Sequence, residues 1–191
     1  ENIIYRSGAQ NGDLIVVSGD LGSAYLGLQI LLREQDVLDG SYEKKNITQD
    51  IKKQLKKNQQ LIERQIKPEA RRDVVQFLRN NKIRPTSMID VSDGLSSDLL
   101  HITKASNVSA TVYENKIPIS REAVNFCEKH SLNPTVVALS GGEDYELLFT
   151  VKPSQINKLT TLSGVSIIGK IAPPNKAHKL ILSDGEEVDF N

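Results

Sequence analysis

Met88-Ile-Asp-Val-Ser-Asp-Gly-Leu-Ser-Ser-Asp-Leu99 decides how this chain is built. Its apolar opening predicts a strand over residues 87–91, and Leu95, Leu99 and Ile102 then recur at helical spacing, predicting a helix over 95–105. A strand running directly into a helix is the joint of a layered α/β domain, and open sheets gather ligands at such strand ends.

The same alternation extends in both directions. Downstream, strands are expected over 109–113, 145–151, 165–171 and 179–182, with helices over 121–130 and 153–162. Upstream, Asp13-Leu-Ile-Val-Val17 lies between two glycine-bearing turns and reads as a buried strand; Tyr25, Leu28 and Leu32 then mark a helix. Residues 36–46 read as a polar loop. Beyond it, Ile47, Ile51, Leu55, Leu61 or Ile62, and Ile66 form one apolar stripe, and Lys52, Lys53, Lys56 and Lys57 form a solvated face opposite. Pro68-Glu69 predicts the start of a helix that buries Ala70, Val74 and Leu78, and Arg84-Pro85 closes it. The expected architecture is an α/β (α+β) layered domain: a mixed sheet covered by helices on one face, with Val91, Leu95, Leu99, Ile102, Leu147 and Phe149 in the core.

Composition narrows the functional classes. The chain has 191 residues, with Lys+Arg and Asp+Glu each totalling 24, so no net field favours nucleic acid or an anionic membrane. A small ligand or protein partner is expected instead. A single cysteine, Cys127, and three scattered histidines exclude an internal disulfide framework and give no zinc spacing, which fits a reducing cytoplasm. No apolar run approaches the roughly 18–20 residues needed to span a bilayer, and no signal-peptide pattern opens the sequence. The chain starts at Glu1 and its only methionine is Met88, so it is expected to be a piece of a longer protein.

Two segments carry chemistry. In the first, Asp90 and Ser92 share one strand face, and Asp93 falls at the turn where helix amides are free. Magnesium favours one or two carboxylates with phosphate and water oxygens, so these residues suit a metal–nucleotide complex. Capping of the helix by Ser92 or Asp93 is the competing reading, but it leaves Asp90 without a role. His101 receives no catalytic role. In the second, Ser140-Gly-Gly-Glu-Asp-Tyr-Glu-Leu147 delivers Glu143 and Asp144 ahead of an apolar strand, and Glu146 is expected on the face opposite Tyr145. A polar strand lead-in is the alternative. Two weaker signals remain. Arg6, followed by Ser-Gly-Ala and Asn11-Gly-Asp13, suits either a phosphate fork or a surface ion pair. Ser18-Gly-Asp-Leu-Gly22 either admits a phosphate or makes a tight turn.

Taken together, Arg6-Ser-Gly-Ala-Gln-Asn-Gly-Asp13, Arg64-Gln-Ile-Lys-Pro68, Met88 to Leu99 and Gly141-Gly-Glu-Asp-Tyr-Glu-Leu-Leu-Phe-Thr150 resemble the thiamine-monophosphate kinase family. That family lies in the superfamily of aminoimidazole ribonucleotide synthetase and selenophosphate synthetase. The resemblance implies that residues 1–191 form the C-terminal domain, with 1–20 following an N-terminal ATP-binding domain that also makes a homodimer. It implies that Asp90 and Asp93 bind Mg2+, that Ser92 contacts ATP and Arg6 its phosphates, and that Glu143 contacts thiamine monophosphate. The implied reaction transfers the ATP γ-phosphoryl group to that substrate, and the isolated chain is expected to be inactive. The family's substrate-stacking aromatic near a C-terminal Gly-aromatic-x-His-Phe ending has no match at Val188-Asp-Phe-Asn191. A superfamily synthetase with another acceptor and a noncatalytic interaction module are the alternatives.

Overall fold

The computed structural model describes residues 3–39, 52–174 and 176–190. Its strands are β1 (Leu14–Ser18), β2 (Ser87–Val91), β3 (Ser109–Tyr113), β4 (Glu146–Val151), β5 (Val165–Ala172), β6 (Lys179–Ile181) and β7 (Glu187–Asp189). They form one seven-stranded sheet in the order β2-β4-β1-β5-β3-β6-β7. Only β3 and β6 pair in parallel, so the sheet is mixed, as expected. The register Asp90↔Leu147 and Val91↔Glu146 places the ends of the two informative segments side by side.

The helices are α1 (Ser23–Asp39), α2 (Gln59–Ile66), α3 (Arg72–Asn80), α4 (Leu95–Ser106), α5 (Arg121–Lys129), α6 (Pro134–Ser140) and α7 (Ile156–Leu159). Alternation along the strands sends apolar side chains both ways. Ile15, Val17, Leu148 and Ile168 pack with Leu95, Leu99 and Ile102 of α4. Val16, Phe149 and Val151 pack with Val74 and Leu78 of α3 and Leu159 of α7. Helices therefore cover both faces, which corrects the one-face expectation: β1 and β4 are apolar on both sides, and each side needs a cover. Val91, Leu95, Leu99, Ile102 and Phe149 are fully buried, but Leu147 is only half-buried, at the rim of a cavity described below.

A third cluster joins helices to one another: Leu26 and Ile30 of α1, Leu61 and Ile62 of α2, and Ala123 and Cys127 of α5. Here the expected α1 face is off by one position. Leu26 and Ile30 are buried while Leu32 is exposed, because α2 crosses α1 at Gly27. A Cβ on Gly27 would lie 2.2 Å from the Leu61 carbonyl oxygen, so the close approach requires glycine.

Other boundaries also move. The loop expected over 36–46 begins later, since α1 runs through Asp39; residues 40–46, and Ile47 and Ile51 of the next stripe, lie outside the described residues. Residues 52–57 are helical, a turn follows at Asn58, and Ile66 ends up exposed. The helix expected from Pro68 starts only at Arg72, leaving Ala70 exposed. The cause is Arg71, whose guanidinium is drawn to Glu146 and Asp73 and holds residues 68–71 across the sheet end. The helix expected over 153–162 is a 3-10 turn and the four-residue α7. Unforeseen are β7 and α6, although α6 carries an ordinary start signal: Asn133 caps it from Thr135 and Val136 N–H, with Pro134 first.

Candidate functional site

β2 delivers Asp90 to the sheet surface, where it is exposed, and then turns through Ser92, Asp93 and Gly94 into α4. The turn is held by a residue that local reading did not single out. One oxygen of Asp98, Oδ2, accepts from the N–H groups of Ser92 (2.9 Å), Asp93 (3.1 Å) and Gly94 (3.2 Å). Asp98 is buried, and that burial raises its carboxyl above the usual range against the pull of the three donors. The cap position falls on Gly94, and no side chain caps it. Neither Ser92 nor Asp93 is thus a cap, and the exposed Asp93 carboxylate is left for other work.

Beside this turn, ligating atoms of Asp93, Asp98 and His101 lie within 4.8 Å of one another. His101 had no expected role, yet its i,i+3 relation to Asp98 puts it on the same helix face.

The 141–145 loop is locked onto the end of β2. Glu143 N–H donates to the Ser92 carbonyl and Tyr145 N–H to the Val91 carbonyl, both at 2.8 Å. Gly142 has φ +68°, and a Cβ there would lie 2.6 Å from the Ser92 oxygen, so only glycine allows this approach. Glu143 is exposed, and Tyr145 Oη donates to its Oε2 at 2.9 Å. The Tyr145 phenol is raised above its usual range, first by that bond, with the fields of Glu143, Asp90 and Asp93 adding to it. Glu143 is thus bonded to the Tyr145 ring, and Asp90 shares the cavity rim with that ring.

The two intervening acids face inward. Glu146 is 2% exposed and meets Arg64 (2.8 Å), Arg71 (2.7 Å) and the Ser18 hydroxyl. It lies opposite Tyr145, as expected from strand alternation. Asp144 accepts from Gly22 N–H (2.7 Å) and Ala24 N–H (3.2 Å) at the start of α1. Those amides are therefore taken, and Ser18 to Gly22 acts as a turn and not as a phosphate cradle.

Burial pushes Asp144 up to about 6, outweighing the two amide donors. Its folded-state value thus exceeds the ordinary 3.8, so the folded state keeps a proton that the unfolded chain releases. Stability from this group is present below about pH 4 and is lost as pH rises through about 6, by about 3 kcal/mol in total. Urea unfolding at pH 4 and 7 should show wild type losing about that much more than Asp144→Asn. Equal losses would contradict this assignment.

A cavity of about 890 Å³ opens next to Asp90, with Tyr145 and Leu147 on the sheet side and Arg71, Arg72 and Arg79 on the α3 side. It sets cationic groups across from Asp90. Arg6 is exposed and does not line it. The neighbouring Tyr5 carbonyl accepts from Met88 N–H at the edge of β2, and Asp13 accepts from Gln10 N–H and the Thr86 hydroxyl.

Comparison with known proteins gives matches along most of the chain. Residues 10–178 match the family model described as AIR synthase related protein, C-terminal domain. The chain is 35% identical over 183 residues to a thiamine-monophosphate kinase of Aquifex aeolicus, covering 91% of this chain and 54% of that protein. Against the thiamine-monophosphate kinase of Methanocaldococcus jannaschii the identity is 33%, covering 99% and 52%. A solved structure described as AaThiL complexed with AMPPCP and TMP superposes with a TM-score of 0.75 at 33% identity, covering all of this chain and 53% of that one. HypE from Escherichia coli, at 20% identity and a TM-score of 0.69, shares the fold. The chain spans about half the length of the curated relatives it matches. The resemblance to thiamine-monophosphate kinases carried by the motifs thus extends over the whole chain.

Proposed function

The chain belongs to the family of AIR synthase related protein C-terminal domains, and from that premise we propose that it supplies part of the active site of a thiamine-monophosphate kinase. The observation that carries this reading is the pair of backbone hydrogen bonds that seat the 141–145 loop, with Glu143, on the end of β2, the segment that bears Asp90 and Asp93. The reaction would move the γ-phosphoryl group of ATP onto a phosphate oxygen of thiamine monophosphate, giving ADP and thiamine diphosphate.

Each residue has a distinct part in this proposal. Asp90 and Asp93 present hard oxygen donors at an exposed rim, and Asp93 has a further carboxylate and an imidazole near it. The carboxylate oxygens of this set fit Mg2+, while the imidazole nitrogen is not a donor that magnesium selects. When bound, magnesium would offset the repulsion between two anionic phosphates. Ser92, held between these acids, would contact ATP, and Arg6 would reach its phosphates from the β2 edge. Glu143 would contact thiamine monophosphate. The acceptor phosphate is already ionised near neutral pH, so the chain needs no general base.

Further parts of the reading concern the whole protein. They are a homodimer formed through the half of the relatives' length not covered here, and a cytoplasmic setting; the zero net charge supports only the expectation of no nucleic-acid or anionic-membrane partner. Among the described residues, no helix is long and apolar enough to cross a membrane.

Glu143→Ala tests the substrate assignment. In the whole kinase it should raise KM for thiamine monophosphate about tenfold or more, the size expected for losing a contact to a charged group, and leave KM for ATP little changed. Unchanged steady-state constants would return this loop to a purely structural role.

A further inference from the structure

Resting on the reading of Glu143 as a substrate contact, we propose that Tyr145 is the positioning residue for that contact, its hydroxyl fixing the Glu143 carboxylate toward the acceptor. The hydroxyl donates to Glu143 Oε2 at 2.9 Å, and no other hydrogen bond restrains that carboxylate among the described residues. Without it, a long exposed side chain would rotate freely.

The backbone is shaped to make this bond. Glu143 and Tyr145 both lie in the left-handed region, at φ +62° and +51°. A bulky aromatic residue is costly there and persists only where its surroundings fix it. Those surroundings are on hand: both N–H groups are tied to β2 carbonyls, and Asp144 between them is anchored on the start of α1. The buried acids Asp144 and Glu146 thereby flank a ring that is 38% exposed at the cavity rim. A phenol also holds the carboxylate without neutralising it, as lysine or arginine would. The negative charge stays available to a substrate whose thiazolium ring is permanently cationic.

The test is a double-mutant cycle in the whole kinase, using Tyr145→Phe, Glu143→Ala and the pair together. Tyr145→Phe should raise KM for thiamine monophosphate about five- to tenfold, with kcat, KM for ATP and melting temperature unchanged. In the Glu143→Ala background the same change should have no further effect. Glu143→Asp, which keeps the charge but draws the carboxylate out of reach of the hydroxyl, should raise the same KM by a similar factor, and it also serves if the phenylalanine variant does not fold. An unchanged KM in Tyr145→Phe beside an impaired Glu143→Ala would overturn the positioning role alone. So would an equal penalty in both backgrounds, or a parallel loss of stability and of both KM values. A silent Glu143→Ala would overturn the substrate assignment first, and this inference with it.

Discussion

Asp90→Asn should lower thiamine diphosphate formation by about 100-fold or more while leaving the fold intact. A divalent cation contributes several kcal/mol to reactions that bring phosphates together, and each 1.4 kcal/mol is about tenfold in rate. Asparagine keeps the size and one oxygen of Asp90 but removes the charge that magnesium requires. Stability should change by no more than about 0.5 kcal/mol, because Asp90 is exposed and its side chain has no hydrogen bond among the described residues. Asp93→Asn should behave alike. Had Asp93 been the helix cap, asparagine would have replaced it almost silently. The structure gives the turn to Asp98 instead, so asparagine at position 93 removes no cap.

Glu146→Ala should have the largest effect on stability. Glu146 is 2% exposed and receives both Arg64 and Arg71, which reach it from α2 and from the segment before α3. Removing one partner of a buried ion pair costs roughly 3–5 kcal/mol, since the remaining charges lose their compensation. The lower end, about 3 kcal/mol, applies here because the arginines retain 24% and 16% exposure and regain some water. For a chain of this size that is a fall of about 6–12 °C in melting temperature. Denaturant unfolding checks it directly. A loss below about 1 kcal/mol would mean that the two arginines are solvated as well without Glu146 as with it. The same substitution should loosen the α3 wall of the cavity, since Arg71 sets where α3 begins.

Local pattern was sufficient where neighbours in sequence determine the outcome. The strands over 87–91 and 109–113 have the bounds that apolar periodicity predicts, and α4 ends one residue later than expected. Long-range contacts decided the rest. The start of α3 depends on an ion pair spanning 75 residues, and the buried face of α1 on a crossing at Gly27. Helices on both faces follow from β1 and β4, whose continuous apolar runs were the available signal.

Of the candidate site, Asp90, Asp93 and Glu143 stood out in the sequence because acids at strand ends and after Gly-Gly are locally unexplained. The structure seats the Glu143 loop on the end of β2 that bears Asp90 and Asp93, and leaves Arg6 outside the cavity lining. The placement of Asp98, Tyr145 and His101 beside these acids was not legible. Their relevance lies in which atom meets which: one oxygen receiving three amides, one hydroxyl reaching across a buried aspartate. Spacing along the chain does not report that.

The measurement that bears most directly on the account is the rate of thiamine diphosphate formation from thiamine monophosphate and ATP by the whole kinase, taken against magnesium concentration for wild type, Asp90→Asn and Asp93→Asn, with melting temperatures recorded alongside. Metal binding through Asp90 and Asp93 predicts a lower maximum rate and a shift of both variants to higher magnesium, at unchanged melting temperature. Wild-type rates and wild-type magnesium dependence in both variants would contradict it.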